Sequence, residues 1–138
     1  MDEEIVLKLI DEAKNMSLKN NCCKHTNYSV GACVLTEDNV VYKGFNIEND
    51  GLLSICAERV AFSKALSEGK TEFKAIFVCG KSKKDKMFVK TLPCGYCRQF
   101  MSEYAGPDLL IYTFDDSTNK VYKYKLEELL PESFSYRG

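Results

Sequence analysis

The chain has 138 residues, 45% of them hydrophobic and 28% charged, with a formal net charge of −1. That is enough apolar content for one globular domain with a real core, read here as spanning 1–138. The balanced charge excludes an electrostatic pull toward nucleic acid or an acidic membrane surface, and no apolar run reaches the length of a membrane span. The start, Met-Asp-Glu-Glu, lacks the basic region and small-residue cleavage site of a secretory signal, so a soluble, cytoplasmic protein is expected.

Residues 3–18 place Val6, Leu9, Ile10 and Ala13 on one face of an amphipathic helix, with acidic residues at its start. Residues 28–36 and 40–46 are rich in β-branched and aromatic side chains and flank Glu37-Asp38-Asn39, which predicts a hairpin. Residues 57–69 have helical spacing and stop at Gly69. Residues 73–80 read as a short apolar strand and 81–87 as a solvated basic loop. A second internal helix is predicted over 94–106, broken by Gly106-Pro107. Two last strands, 109–114 and 120–126, are joined by a polar turn, and Glu127–Leu130 form a short final helix. The order α-β-β-α-β-α-β-β-α points to an α/β layered domain with helices covering a mixed sheet.

Seven cysteines need an account. An odd number without a secretory signal argues against a disulfide framework. Cys33 and Cys79 lie inside apolar strand-like runs and read as small buried hydrophobes, while Cys22 and Cys23 sit in a polar stretch and read as incidental. Cys56, Cys94 and Cys97 remain, each near a loop-to-helix junction. Helix starts stabilise thiolates through unpaired N–H groups and the positive end of the dipole. One C-x-x-C plus one further cysteine, with no strong fourth ligand, matches a catalytic zinc site that keeps a position open for water. Three thiolates on Zn²⁺ leave a net −1, and a guanidinium close by would draw charge off the sulfurs; Arg59 is the first candidate and Arg98 the second. Glu58, two residues after Cys56, sits where a carboxylate can take a proton from a zinc-activated water and return it to a substrate nitrogen. Alone it would be an acidic residue favouring a helix dipole; beside three converging cysteines the chemical role is preferred.

Cys-Ala-Glu followed by Pro-Cys-x-x-Cys resembles the zinc nucleoside and base deaminases. Asn46–Asn49, Cys56–Arg59, Pro93–Gln99 and Glu128–Phe134 resemble, more closely, the cytidine deaminases that bind zinc through three cysteines. The resemblance implies a three-layer α-β-α sandwich with a five-stranded mixed sheet. It implies Cys56, Cys94 and Cys97 as ligands of Zn²⁺, Glu58 as proton shuttle, and hydrolytic deamination at C4 of free cytidine or deoxycytidine. Asn46 and Glu48 match the family's ribose-binding pair, Ala57 a position whose N–H meets the base carbonyl, and Tyr28 an aromatic beside the base. Phe134 matches a phenylalanine that family members insert into a neighbouring subunit's site, which implies a homotetramer with shared active sites. The cysteine at 56, where nucleic-acid-editing relatives carry histidine, favours a small pyrimidine nucleoside, as in pyrimidine salvage.

Departures cluster at the pocket rim. The 49–55 stretch is one residue shorter than usual in the family, Tyr28-Ser29 replaces the commoner Phe-Pro, Leu92 stands where serine is common, and Tyr96 replaces a small residue between the cysteines. The shortened stretch keeps a blasticidin-S-type deaminase as the runner-up. Outside that class stand a structural zinc module, with Cys22 or His25 as fourth ligand, and a dithiol redox protein using Cys94 and Cys97.

Overall fold

The computed structural model describes residues 1–50 and 53–135. In chain order these form α1 (Glu3–Leu18), β1 (Tyr28–Thr36), β2 (Val41–Phe45), α2 (Ala57–Ser67), β3 (Phe73–Ser82), α3 (Gly95–Tyr104), β4 (Leu110–Asp115), β5 (Lys120–Lys125) and α4 (Leu126–Leu129). The strands make one mixed sheet in the order β2-β1-β3-β4-β5. All pairs are antiparallel except β3 with β4, which run parallel, Ala75 opposite Leu110 and Val78 opposite Thr113. A parallel pair needs a crossover, and here the crossover carries α3.

Side-chain alternation sorts the core into two layers. From β1 and β3, Cys33, Leu35, Ala75, Phe77 and Cys79 join the cluster packed under α1. Their neighbours Ala32, Val34, Ile76 and Val78 join Ala57, Ala61, Phe62 and Ala65 of α2 and Cys97 and Met101 of α3 on the other face. A period of two puts successive residues on opposite faces, and burial on both faces explains why these strands are apolar almost throughout. The result is a three-layer α-β-α sandwich. No helix among the described residues is long and apolar enough to cross a membrane.

Local chemistry sets the element ends. Asp2 caps α1 by accepting the Glu4 N–H at 2.9 Å. The β1–β2 turn uses Asn39 at φ 66°, a left-handed conformation that asparagine tolerates. Gly31 lets α1 lie directly on β1: a Cβ there would land in the Ala13 carbonyl and the Ser17 amide.

Two sequence expectations need correction. The 81–87 segment is not wholly loop, since β3 continues to Ser82, where Lys81 and Ser82 pair with Ser29 and Tyr28 of β1. The pairing of β1, which starts at Tyr28, carries β3 two residues past its apolar run. Cys23 sits in the loop after α1, as the sequence suggests, but it is not incidental to the packing: it is 3% exposed.

Candidate metal centre

The two helices on the same face of the sheet begin side by side. Cys56 is the N-cap of α2 and Cys94 the N-cap of α3, both in extended backbone, and Cys97 falls in the first turn of α3. Neither cap cysteine makes a side-chain capping bond. The sulfurs turn toward each other instead: Cys56 and Cys94 Sγ lie 3.9 Å apart, and all three sulfurs lie within 4.8 Å of one another. No fourth His, Cys, Asp or Glu joins this cluster among the described residues. His25 Nε2 lies 3.1 Å from an Asp50 carboxylate oxygen, and the Cys22 thiol donates to Asn21, so the two suggested fourth ligands are engaged elsewhere. Three convergent sulfurs at two helix starts fit Zn²⁺, which favours thiolates in a tetrahedral set and leaves one position for a non-protein ligand.

The thiols share charge unevenly. The Cys97 thiol donates to Cys56, which lowers Cys56 and raises Cys97 relative to a free thiol. Arg59 adds to the effect on Cys56, with Nη2 3.7 Å from its sulfur and 3.3 Å from the Ser54 carbonyl oxygen. Burial alone would discourage the Arg59 charge, but its bonds to the Cys56 and Cys97 sulfurs outweigh that. Arg98 is not placed to act this way. Its Nε donates to the Pro93 carbonyl at 2.7 Å and its Nη1 to the Leu129 carbonyl at 2.8 Å, so it ties the start of α3 to α4.

Glu58 lies in the first turn of α2, buried, and outside the sulfur cluster. Burial pushes its carboxyl up to about 7, with the Cys56 thiolate adding in the same direction against its own backbone N–H and Arg59. A carboxyl near 7 can both accept and release a proton at neutral pH.

A second group of residues gathers at the starts of β1 and the end of β2. Asn46 Oδ1 accepts from Asn20 Nδ2 at 2.6 Å and from the Val30 N–H at 2.9 Å, while its Nδ2 donates to the Tyr28 carbonyl at 3.0 Å. The amide is thereby fixed, with one Nδ2 hydrogen left over among the described residues. Glu48 Oε1 accepts the His25 and Thr26 N–H groups at 2.8 and 3.1 Å, and Oε2 accepts the Thr26 hydroxyl at 2.5 Å. Burial raises the Glu48 pKa, but those three bonds outweigh it and hold the carboxyl below its usual range. The Tyr28 hydroxyl lies 2.9 Å from Thr91 Oγ1. Ala57 is fully buried and opens α2, where the first N–H groups have no partner within the helix. Phe134 stands apart on the surface, 69% exposed, with its carbonyl accepting from Gln99.

Sequence reasoning passed over the residues that hold this group in place: Asn20, Thr26 and Thr91. Asn20 is 1% exposed, and a buried amide is nearly always committed to hydrogen bonds. Nothing in its local sequence marks that burial.

The family model for the cytidine and deoxycytidylate deaminase zinc-binding region matches residues 3–113. The chain belongs to this family. A protein of Dictyostelium discoideum named "Probable cytidine deaminase" is 38% identical over 136 residues, covering 98% of this chain and 87% of that protein. The cytidine deaminase of Sporosarcina psychrophila is 34% identical over 131 residues, 94% of this chain and 91% of that one. The crystal structure of cytidine deaminase from Burkholderia pseudomallei superposes with a TM-score of 0.80 at 33% identity, covering 97% of this chain and all of that one. The five-stranded mixed sheet with its covering helices is the fold of these structures.

Proposed function

We propose that this protein hydrolyses the exocyclic amino group of free cytidine and deoxycytidine, giving uridine or deoxyuridine and ammonia. The observation that carries the reading is the juxtaposition of three convergent thiols with a buried carboxyl, Glu58, in a chain of this family. Cys56, Cys94 and Cys97 would hold the zinc. When bound there, zinc supplies a Lewis acid that makes a water nucleophilic at neutral pH. Glu58 takes a proton from the attacking water. Addition at C4 of the pyrimidine places electron density on ring N3, and Glu58 delivers the proton there. A second transfer through the same carboxyl lets the amino group depart as ammonia.

The remaining residues bind and orient. The spare Nδ2 hydrogen of Asn46 and the carboxylate of Glu48 suit ribose hydroxyls, the first N–H of α2 at Ala57 suits the base carbonyl, and Tyr28 flanks the ring. Arg59 offsets the surplus negative charge of three thiolates. Phe134 completes the site of a neighbouring subunit in a homotetramer. Ile47, Leu53, Ile55 and Phe134 are exposed apolar side chains, which supports a surface that other copies cover. The chain acts as one domain over 1–138, in the cytoplasm, on nucleosides of pyrimidine salvage.

Ultraviolet absorbance on a sample of measured zinc content tests the reading, with cytidine, deoxycytidine and blasticidin S as separate substrates. Loss of the cytidine band is expected for both nucleosides. Turnover of blasticidin S alone overturns the substrate assignment, and active protein without zinc overturns the chemistry.

A further inference from the structure

The residue between the two cysteines of α3, Tyr96, is 67% exposed, yet its ring does not stand free in solvent. The Arg59 guanidinium lies over the ring face, its Cζ 4.3 Å from the centroid. The same guanidinium donates to Cys56 Sγ and to the Ser54 carbonyl through Nη2. Its Nε is buried and has no hydrogen-bond partner among the described residues. No acceptor therefore fixes the inner edge of the fork. What holds it are two Nη2 bonds, one of them to a soft, long-range sulfur acceptor, its contact with the Cys97 sulfur, and the aromatic face.

We propose that Tyr96 is a positioning residue for the metal centre: its ring clamps Arg59 against the Cys56 sulfur and so keeps the thiolates bound to zinc. The inference rests on reading Cys56, Cys94 and Cys97 as the ligands. A surface guanidinium is otherwise drawn into water. The negative face of a tyrosine ring attracts it, and the ring excludes water from one of its sides, which strengthens the bond to sulfur. With three thiolates on Zn²⁺ the site would carry a net −1, so moving the guanidinium away from the Cys56 sulfur leaves that charge uncompensated and loosens the hold on the ion. Tyrosine at 96 supplies from the C-x-x-C segment itself a contact that a small residue there would not make.

Zinc transfer from the substrate-free, zinc-loaded protein to a chromogenic chelator tests the clamp without relying on turnover. Tyr96→Leu is expected to release zinc about two- to fivefold faster than the parent, the range set by loss of one cation–π contact at an exposed ring. Tyr96→Phe keeps the ring face and is expected to stay near the parent rate. In an Arg59→Gln background, Tyr96→Leu should add nothing further. Equal release by parent and Tyr96→Leu overturns the clamp, as does an equal acceleration with and without Arg59. A parent protein that binds no zinc overturns the ligand reading, and the clamp with it.

Discussion

Asn20 donates its side-chain amide to Oδ1 of Asn46 at 2.6 Å, from a position just after α1 that is 1% exposed. Its own Oδ1 takes the Cys22 N–H at 2.7 Å, which fixes which end of the amide faces Asn46. Asn46 is thereby turned with Nδ2 toward the Tyr28 carbonyl, to which it donates at 3.0 Å. Asn20→Asp exchanges the donor for an acceptor and sets two oxygens against each other. The expected outcome is a higher KM for cytidine with a smaller change in kcat, together with a loss of about 1–3 kcal/mol in stability. Steady-state kinetics and denaturant melts on one preparation check both.

Glu58→Gln keeps size and burial but removes the proton carrier. Zinc content and melting temperature should stay near those of the parent, because Glu58 lies outside the sulfur cluster. The rate of cytidine turnover should fall by about 100- to 10,000-fold, the range for loss of general acid–base assistance. Metal analysis and kcat measured side by side check this, and a variant that turns over at the parental rate removes Glu58 from the mechanism.

Cys33 and Cys79 face α1, and burial pushes each thiol from the ordinary 9.0 up to about 12. Both should stay protonated and unreactive toward a disulfide reagent at pH 8, whereas the exposed Cys94 should react once a chelator has removed zinc. The sign follows from linkage. A thiol raised in the folded state holds its proton longer than in the unfolded chain, so its contribution is intact below about pH 9 and is lost as pH rises toward about 12. Denaturant midpoints across that window should decline, and Cys33→Ala with Cys79→Ala should flatten the decline.

At Gly31 the backbone of α1 lies directly against β1. Gly31→Ala forces α1 off β1 and should cost about 3 kcal/mol or more by overpacking. Gly69→Ala, where a Cβ meets nothing but φ is 85°, should cost only about 1 kcal/mol. Thermal melts of the two variants check the order.

Much of this was legible in the sequence because local chemistry and tertiary need agree. The helix at Glu3–Leu18 has both a periodic apolar face and a capping aspartate, so its bounds are as the pattern predicts. The cysteine trio was legible because Cys56, Cys94 and Cys97 all fall at helix starts. The end of β3 was not, since it depends on which partner strand lies alongside Lys81 and Ser82. Arg98 was equally opaque: one position after Cys97, it points to the Pro93 and Leu129 carbonyls, a choice made by the packing of α4. Gly51 and Leu52 of the shortened 49–55 stretch lie outside the described residues.

The sulfurs of Cys56 and Cys94 are 38 positions apart in the chain. An ion gripped by both rivets shut a long loop that the unfolded polypeptide leaves gaping. Scarcity of the metal would thus cost the cell more than idle catalysts: it would loosen the scaffold, and proteases would thin out the copies that had failed to load.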